Sequence, residues 1–284
     1  MTESAVLLIS CPDQKGLVSA VAGFLFEHGG NILHADQHQD AELGLFLMRV
    51  EWELKGFSLD LSEIPARLAP IARRFGMEWR LASSSHRPRV AILVSRQTHC
   101  LVDLLYRYRA GELACEIPLI VSNHPDGRWI AASCEIPYHQ VEVPPGRKEE
   151  AEARQLELLE EQRIDLVVLA RYMQILSPAM VARFPNRIIN IHHSFLPAFS
   201  GAKPYHQAYE RGVKLIGATS HYVTEILDDG PIIEQDVVRI SHRDGVRELV
   251  QKGQDLEKVV LSRAVRWHVE NRILVYGRKT VVFA

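Results

Sequence analysis

The sequence predicts an α/β protein in two parts: an N-terminal ferredoxin-like βαββαβ unit, then a doubly wound, mostly parallel α/β sheet. Three observations carry this. The first 84 residues alternate strand and helix patterns in the order βαββαβ. A polar, small-residue passage, Ala82-Ser83-Ser84-Ser85-His86-Arg87-Pro88, then separates two complete patterns and reads as a linker. Beyond it, Val90 to Val94 and Leu166 to Ala170 are unbroken apolar runs, as strands covered on both faces require. The expected domains are 1–84 and 85–284.

In the first part, Ala5 to Ser10 is a short apolar strand. Pro12 to Gly16 is turn chemistry, followed by a helix with Leu17, Val21, Phe24 and Leu25 on one face. Gly29-Gly30 stops that helix, because glycine tolerates the left-handed backbone needed there. Asn31 to Gln39 is a second strand. Phe46, Met48, Val50 and Trp52 then alternate with Leu47, Arg49 and Glu51, a period-2 strand. A helix from about Leu61 to Arg74 and a strand from Met77 to Leu81 complete the unit.

The second part predicts strands at Arg89 to Ser95, Ile117 to Ser122, Tyr138 to Val141, Asp165 to Ala170, Arg187 to His192 and Leu215 to Val223. Helices are expected near Cys100 to Ala110, Lys148 to Glu161 and Pro204 to Arg211, with a long one from about Val246 to Glu270. The charged run Arg147 to Glu152 reads as the start of a solvated helix. In parallel α/β sheets, ligands bind at the carboxyl ends of the strands.

Composition narrows the function classes. The chain has 284 residues, 33 basic and 35 acidic, for a formal charge of −2, so nothing in bulk charge favours nucleic acid or an anionic membrane. A 47 % hydrophobic content supports a sizeable core. No apolar run approaches the roughly 20 residues of a membrane span, and Met1-Thr2-Glu3-Ser4 lacks a basic signal-peptide start, so a soluble, cytoplasmic protein is expected. Cys11, Cys100, Cys115 and Cys134 stand singly, without metal-ligand or disulfide spacing.

One stretch, "RIINIHHSFLPAFSGAKPYHQA" at residues 187–208, begins as a core strand and ends in amide and imidazole groups before a Pro/Gly-bearing loop. Strand parity puts Asn190 and His192 on one face and Ile191 and His193 on the other. The two histidines are therefore not expected to share a metal, and His193 should be mainly architectural. Asn190 and His192 could hydrogen-bond an oxyanion formed at a carbonyl; equally, such a histidine can be a satisfied core residue. Further on, Leu227-Asp228-Asp229-Gly230-Pro231 is good turn chemistry. Together with His221, Asn190 and His192, it also supplies the carboxylate, imidazole and amide of acid–base acyl transfer.

Asn190-x-His192-x-Ser194-x-Leu196-Pro197, then His221, then Leu227-Asp228-x-Gly230-Pro231, resembles the signature of the formyltetrahydrofolate-dependent enzymes. Val121-Ser122-Asn123 and the run from Leu169 to Ser177 are similar to segments of that family, so the resemblance spans about residues 88–284. It implies a formyltransferase-like domain with Asn190, His192 and Asp228 as the catalytic set. It also implies substrate contacts from Met173, Ile175 and Leu176 around a pterin, with His221 either holding Asp228 and a bound water or serving the structure.

The N-terminal unit, with Asp13-x-x-Gly16 and Gly30-Asn31, resembles the ACT regulatory module. Members that transfer formyl to a nucleotide amine carry a glycine-rich phosphate loop; here Val94-Ser95-Arg96-Gln97-Thr98-His99-Cys100 has no glycine. No added nucleic-acid-binding domain is expected either. The resemblance therefore points to the deformylase branch of the family. It implies hydrolysis of 10-formyltetrahydrofolate to formate and tetrahydrofolate, supplying formate for purine synthesis and balancing the one-carbon folate pool. The folate is then the substrate, with no cofactor or metal. It further implies amino-acid effectors, glycine and methionine, near Asp13, Gly16 and Asn31, and a homo-oligomer. Two other readings stay open: formyl transfer to an amine, and a folate or amino-acid sensor that has lost the chemistry.

Overall fold

The computed structural model describes residues 3–197 and 204–284. These divide into two compact units: 1–87 with 270–274 and 281–284, and 88–269 with 275–280. The Pro/Gly-bearing loop expected after His193 runs into 198–203, outside the described residues. No helix among the described residues is long and apolar enough to cross a membrane.

The first unit is built from β1 (Ser4–Pro12), α1 (Leu17–Glu27), β2 (Asn31–Asp40), β3 (Leu45–Glu53), α2 (Ile64–Phe75) and β4 (Glu78–Ser83). Its sheet order, β2-β3-β1-β4, is antiparallel throughout, as the βαββαβ pattern predicts. The alternation read in the sequence sets the core: Leu7, Ile9, Met48, Val50 and Trp52 bury one sheet face against Leu17, Val21, Ile64 and Leu68 of the helices. Full burial of each such side chain contributes about 1.5–3 kcal/mol. α1 stops as expected. Gly29 adopts φ 74°, the Gly30 amide donates to the Leu25 carbonyl at 2.7 Å, and Gly29 donates to Phe26 at 3.0 Å, a Schellman closure. β4 runs further than predicted: Ala82 and Ser83 pair with Val6 and Ala5, so they belong to the sheet and not to the linker.

The second unit comprises β5 (Arg89–Val94), α3 (His99–Arg109), β6 (Glu116–Ser122), α4 (Arg128–Ser133), β7 (Tyr138–Gln140), α5 (Lys148–Glu161) and β8 (Leu166–Ala170). It continues with α6 (Pro178–Arg183), β9 (Ile188–His192), α7 (Pro204–Arg211), β10 (Leu215–Tyr222), β11 (Ile232–Arg239) and α8 (Val246–Val269). The chain ends in the paired strands β12 (Ile273–Tyr276) and β13 (Lys279–Val282). The large sheet has the order β11-β10-β9-β8-β5-β6-β7. It is parallel from β7 to β9, while β10 and β11 run antiparallel. The order reverses at β5, between β6 and β8, and doubly wound sheets open a crevice near such a point. The short α4 and α6, β11 and the terminal strand pair are absent from the sequence reading. At 4 to 8 residues they are too short, or too weakly alternating, to show a period. α5 is not simply a solvated helix: Glu152 is buried and serves a loop described below.

Candidate active site

The antiparallel pairing of β9 with β10 assembles the site. Its register sets Asn190 opposite His221 and His192 opposite Thr219. Directly opposed side chains on one face meet, and Asn190 Nδ2 lies 3.2 Å from His221 Nε2. His221 Nδ1 sits 2.9 Å from the Tyr222 carbonyl, which can only accept, so Nδ1 carries the proton. Burial lowers the His221 pKa, only partly opposed by that carbonyl, and favours the neutral ring. Nε2 is then an acceptor for the Asn190 amide, which fixes how that amide is turned.

Asp228 reaches the same place from the loop after β10. Its Oδ1 is 3.3 Å from His192 Nδ1 and 3.8 Å from His221 Nε2. The hydrogen bond from His192 holds its carboxyl below the ordinary value against the opposing effect of burial, so Asp228 is ionised at neutral pH. The other ring nitrogen of His192, Nε2, is buried and has no hydrogen-bond partner among the described residues. Such a group costs about 1–3 kcal/mol unless something binds it. The three predicted catalytic residues therefore converge, and all line a cavity of about 520 Å³, within the range of small-molecule sites.

Local contacts explain the motif residues that carry no chemistry. Thr219 Oγ1 donates to the Ser194 carbonyl at 2.8 Å and accepts from the Leu196 amide at 3.0 Å. Gln235 Nε2 on β11 donates to the Leu196 carbonyl at 3.0 Å. These bonds tie down the turn that follows His192. Gly230 is demanded by space: a Cβ there would lie 1.7 Å from the Tyr222 carbonyl oxygen. That close approach brings the Asp228 loop back against β10. Asp228, Arg171 and Met173 all have left-handed backbone, at φ 55°, 62° and 62°, and all line the cavity. Non-glycine residues in this region carry strain that clusters at functional sites.

Met173 and Ile175 form an exposed part of the cavity lining, at 62 % and 61 % exposure. The loop bearing them is anchored at both ends by α5: Gln155 Nε2 to Tyr172 Oη at 2.6 Å, and the Ser177 amide to Glu152 Oε1 at 2.9 Å. Leu176 packs in the core and also lines an adjoining cavity of about 60 Å³ with Val223, Ile226 and Leu227. His221, Asn190 and Asp228 line that smaller cavity too.

His193 departs from the parity reading. β9 ends at His192, so alternation no longer governs the next residue, and His193 lines the same cavity as its neighbour. Its ring lies 5.2 Å from that of His192 and 6.0 Å from that of Tyr205. Burial, reinforced by the Arg171 charge, pushes its pKa down to about 3.

The lining also holds residues that the sequence reading passed over. Glu257 of α8 is fully buried; its Oε1 accepts from Tyr205 at 2.6 Å and its Oε2 lies 2.8 Å from His99 Nε2 and 3.5 Å from Arg171 Nε. Burial alone would raise the Glu257 carboxyl, but the His99 bond and the Arg171 charge win and hold it below its ordinary value. A signal existed. Leu249, Gly253, Glu257 and Leu261 are spaced by four on the buried stripe of α8, and a carboxylate on such a stripe needs partners. His99, Cys100 and Glu257 also place potential metal-ligand atoms within 4.8 Å of one another. Both oxygens of Glu257 are already engaged, and burial raises the Cys100 thiol well above its ordinary value, so the set reads as a hydrogen-bonded wall.

The expected effector residues do not come together within one chain. Asp13 follows β1 beside the end of β2, where Gln39 Nε2 donates to it at 2.6 Å, and Gly16 caps α1 with φ 92°. Asn31 opens β2 at the other end, paired with Glu53. The intervening strand is roughly 30 Å long.

Comparison with known proteins agrees with this architecture. The family model "Formyl transferase" matches residues 88–265, and the ACT domain model matches residues 5–64. A formyltetrahydrofolate deformylase of Synechocystis sp. is 56 % identical over 281 residues, covering 99 % of this chain and 99 % of that protein. One from Bacillus subtilis is 52 % identical, covering 98 % and 93 % respectively. The crystal structure of a formyltetrahydrofolate deformylase from Pseudomonas syringae pv. tomato superposes with a TM-score of 0.98 at 50 % identity, covering 100 % of this chain and 95 % of that one.

Proposed function

The chain belongs to the formyltetrahydrofolate deformylase family, and from that premise we propose how its own residues carry the reaction. The reaction is hydrolysis of 10-formyltetrahydrofolate to formate and tetrahydrofolate. The observation that supports the assignment of roles is the meeting of Asp228, His192 and Asn190 at one cavity, with the carboxylate 3.3 Å from the imidazole.

Asp228, ionised at neutral pH, takes a proton from water as its oxygen attacks the formyl carbon. The oxyanion that forms accepts hydrogen bonds from the Asn190 amide and from Nε2–H of an imidazolium His192, whose Nδ1–H is turned to Asp228. As the C–N10 bond breaks, Nε2 gives its proton to N10. The formic acid formed, carrying the oxygen supplied by water, returns a proton to Nε2 and leaves as formate, and Asp228 releases to solvent the proton it took from water. His221 is a positioning residue: it accepts from Asn190 and so turns the amide toward the substrate. Met173, Ile175 and Leu176 surround the pterin, with the small adjoining cavity as its deep end. Purified protein given 10-formyltetrahydrofolate alone should release formate. Loss of the formyl group only with an added amine, and without formate, would instead favour a transferase.

The N-terminal unit reads as the amino-acid-sensing part of a homo-oligomer, with 1–84 regulatory and 85–284 catalytic. Every residue of edge strand β2 except Asp40 is exposed in a single chain, including Ile32 and Leu33, and bare strand edges recruit further strands. A second copy is the route by which Asn31 of one chain could approach Asp13 and Gly16 of another. Glycine and methionine are the effectors to titrate calorimetrically. No heat and no kinetic change with either would remove this reading.

A further inference from the structure

We propose that Arg171 forms a subsite for a small carboxylate, the product formate, on the polar wall of the cavity. This rests on the hydrolytic reading above and adds to it a residue and a ligand. Arg171 is 6 % exposed, lines the cavity and has only part of its guanidinium satisfied. Nε faces Gln97 Oε1 at 3.0 Å and Glu257 Oε2 at 3.5 Å, while Nη1 is buried with no hydrogen-bond partner among the described residues. A guanidinium carries its donors in a planar fork matched to a carboxylate. A buried guanidinium N–H without an acceptor is costly, and a small carboxylate in the cavity would supply one.

The neighbours select the size and charge of that acceptor. Glu257 has its two oxygens covered by Tyr205, His99 and Arg171, so its charge is shielded by donors rather than turned on the cavity. His193 is neutral over the working range and adds no competing charge. Both His193 and Arg171 line the cavity that also contains His192 and Asp228, so the wall lies within the compartment where the C–N10 bond breaks. Hydrolysis turns a neutral formamide into a planar monoanion beside the Asp228 carboxylate, which repels it. A guanidinium lining the same cavity gives that anion somewhere to go. The left-handed backbone of Arg171 sets the residue in this wall.

The test uses the full-length enzyme and ¹³C-labelled formate, followed by NMR line broadening, with formate product inhibition measured in parallel. Wild type is expected to broaden the formate signal and to be inhibited by formate. Arg171→Met is expected to raise the formate inhibition constant about 10-fold or more, the scale of one lost charge-assisted hydrogen bond. Because that variant strands the Glu257 charge, Arg171→Met/Glu257→Gln removes both charges together and should show the same loss while staying folded. Wild-type enzyme that hydrolyses the folate but neither binds nor is inhibited by formate overturns the subsite and leaves the hydrolytic reading standing. Absence of hydrolysis would instead strike that reading. A third arm compares substrates with and without the glutamate tail. If Arg171→Met raises KM only for the tailed substrate, the guanidinium serves the tail carboxylate and the formate site is wrong.

Discussion

Asn190 Nδ2 lies 3.2 Å from His221 Nε2 because β9 and β10 place these two residues directly opposite each other. The His221 ring is itself fixed by the Tyr222 carbonyl, 2.9 Å from Nδ1. In the proposed reaction, a neutral acceptor so held has the role of turning the Asn190 amide. His221→Ala should therefore lower kcat about 10- to 100-fold with little change in KM, and the double variant with Asn190→Ala should be scarcely worse than Asn190→Ala alone. Additive losses in the cycle would separate the two residues.

Asp228→Asn and His192→Ala should each lower kcat by about 10²–10⁴, with a much smaller effect on KM. Because the His192 bond keeps the Asp228 carboxyl below its ordinary value of 3.8, the acid limb of kcat/KM due to this group should lie below that value. In His192→Ala that support is gone, burial acts unopposed by the bond, and the limb should move to higher pH. A limb that stays in place would deny the coupling.

Much of this was legible in the sequence, and the reason is periodicity. Long elements with an apolar face, such as α3, α5 and α8, lie within a residue of their expected bounds, while α2 begins three residues later than expected. The pairing of a strand-end Asn-x-His with a later Asp-x-Gly-Pro pointed to one sheet edge. What parity could not say is where β9 stops; it stops one residue before His193, and that side chain turns into the cavity. Nor could it join Arg171, Glu257 and His99, which come from three segments far apart in sequence and meet only through packing.

Gly230→Ala tests the tight turn behind Asp228. The added methyl would sit 1.7 Å from the Tyr222 carbonyl oxygen, backbone against backbone, so the loop must move. Since catalysis depends on carboxylate position to well under an ångström, activity should fall at least about 100-fold, while the core of the second unit stays folded. Near wild-type turnover would mean that this loop has slack that the contact denies.

Gln155→Ala tests the anchoring of the Met173 loop. Gln155 is fully buried and donates to Tyr172 Oη at 2.6 Å. Its removal leaves that hydroxyl short of a partner at a cost of about 1–3 kcal/mol, and loosens the segment that carries Met173 and Ile175. KM for the folate should rise several-fold while kcat stays close to wild type, because no residue at the reacting bond has moved. A fall in kcat without a change in KM would assign this loop to the chemical step.

His193 makes stability depend on pH in a stated direction. Burial, then the Arg171 charge, lower its pKa from 6.5 to about 3 in the folded protein. Between those two values the unfolded chain binds a proton that the folded chain refuses. Unfolding therefore takes up a proton there, and stability rises with pH across that window. Above pH 6.5 both states are neutral at this residue and it contributes no slope. Thermal melts should show Tm falling as pH drops from 6.5 toward 3. His193→Gln, which keeps a polar side chain of similar reach but cannot titrate, should flatten that part of the curve. An unchanged slope in the variant would mean that His193 gains its proton as readily in the folded protein as in the unfolded chain, and so that the polar wall is open to water.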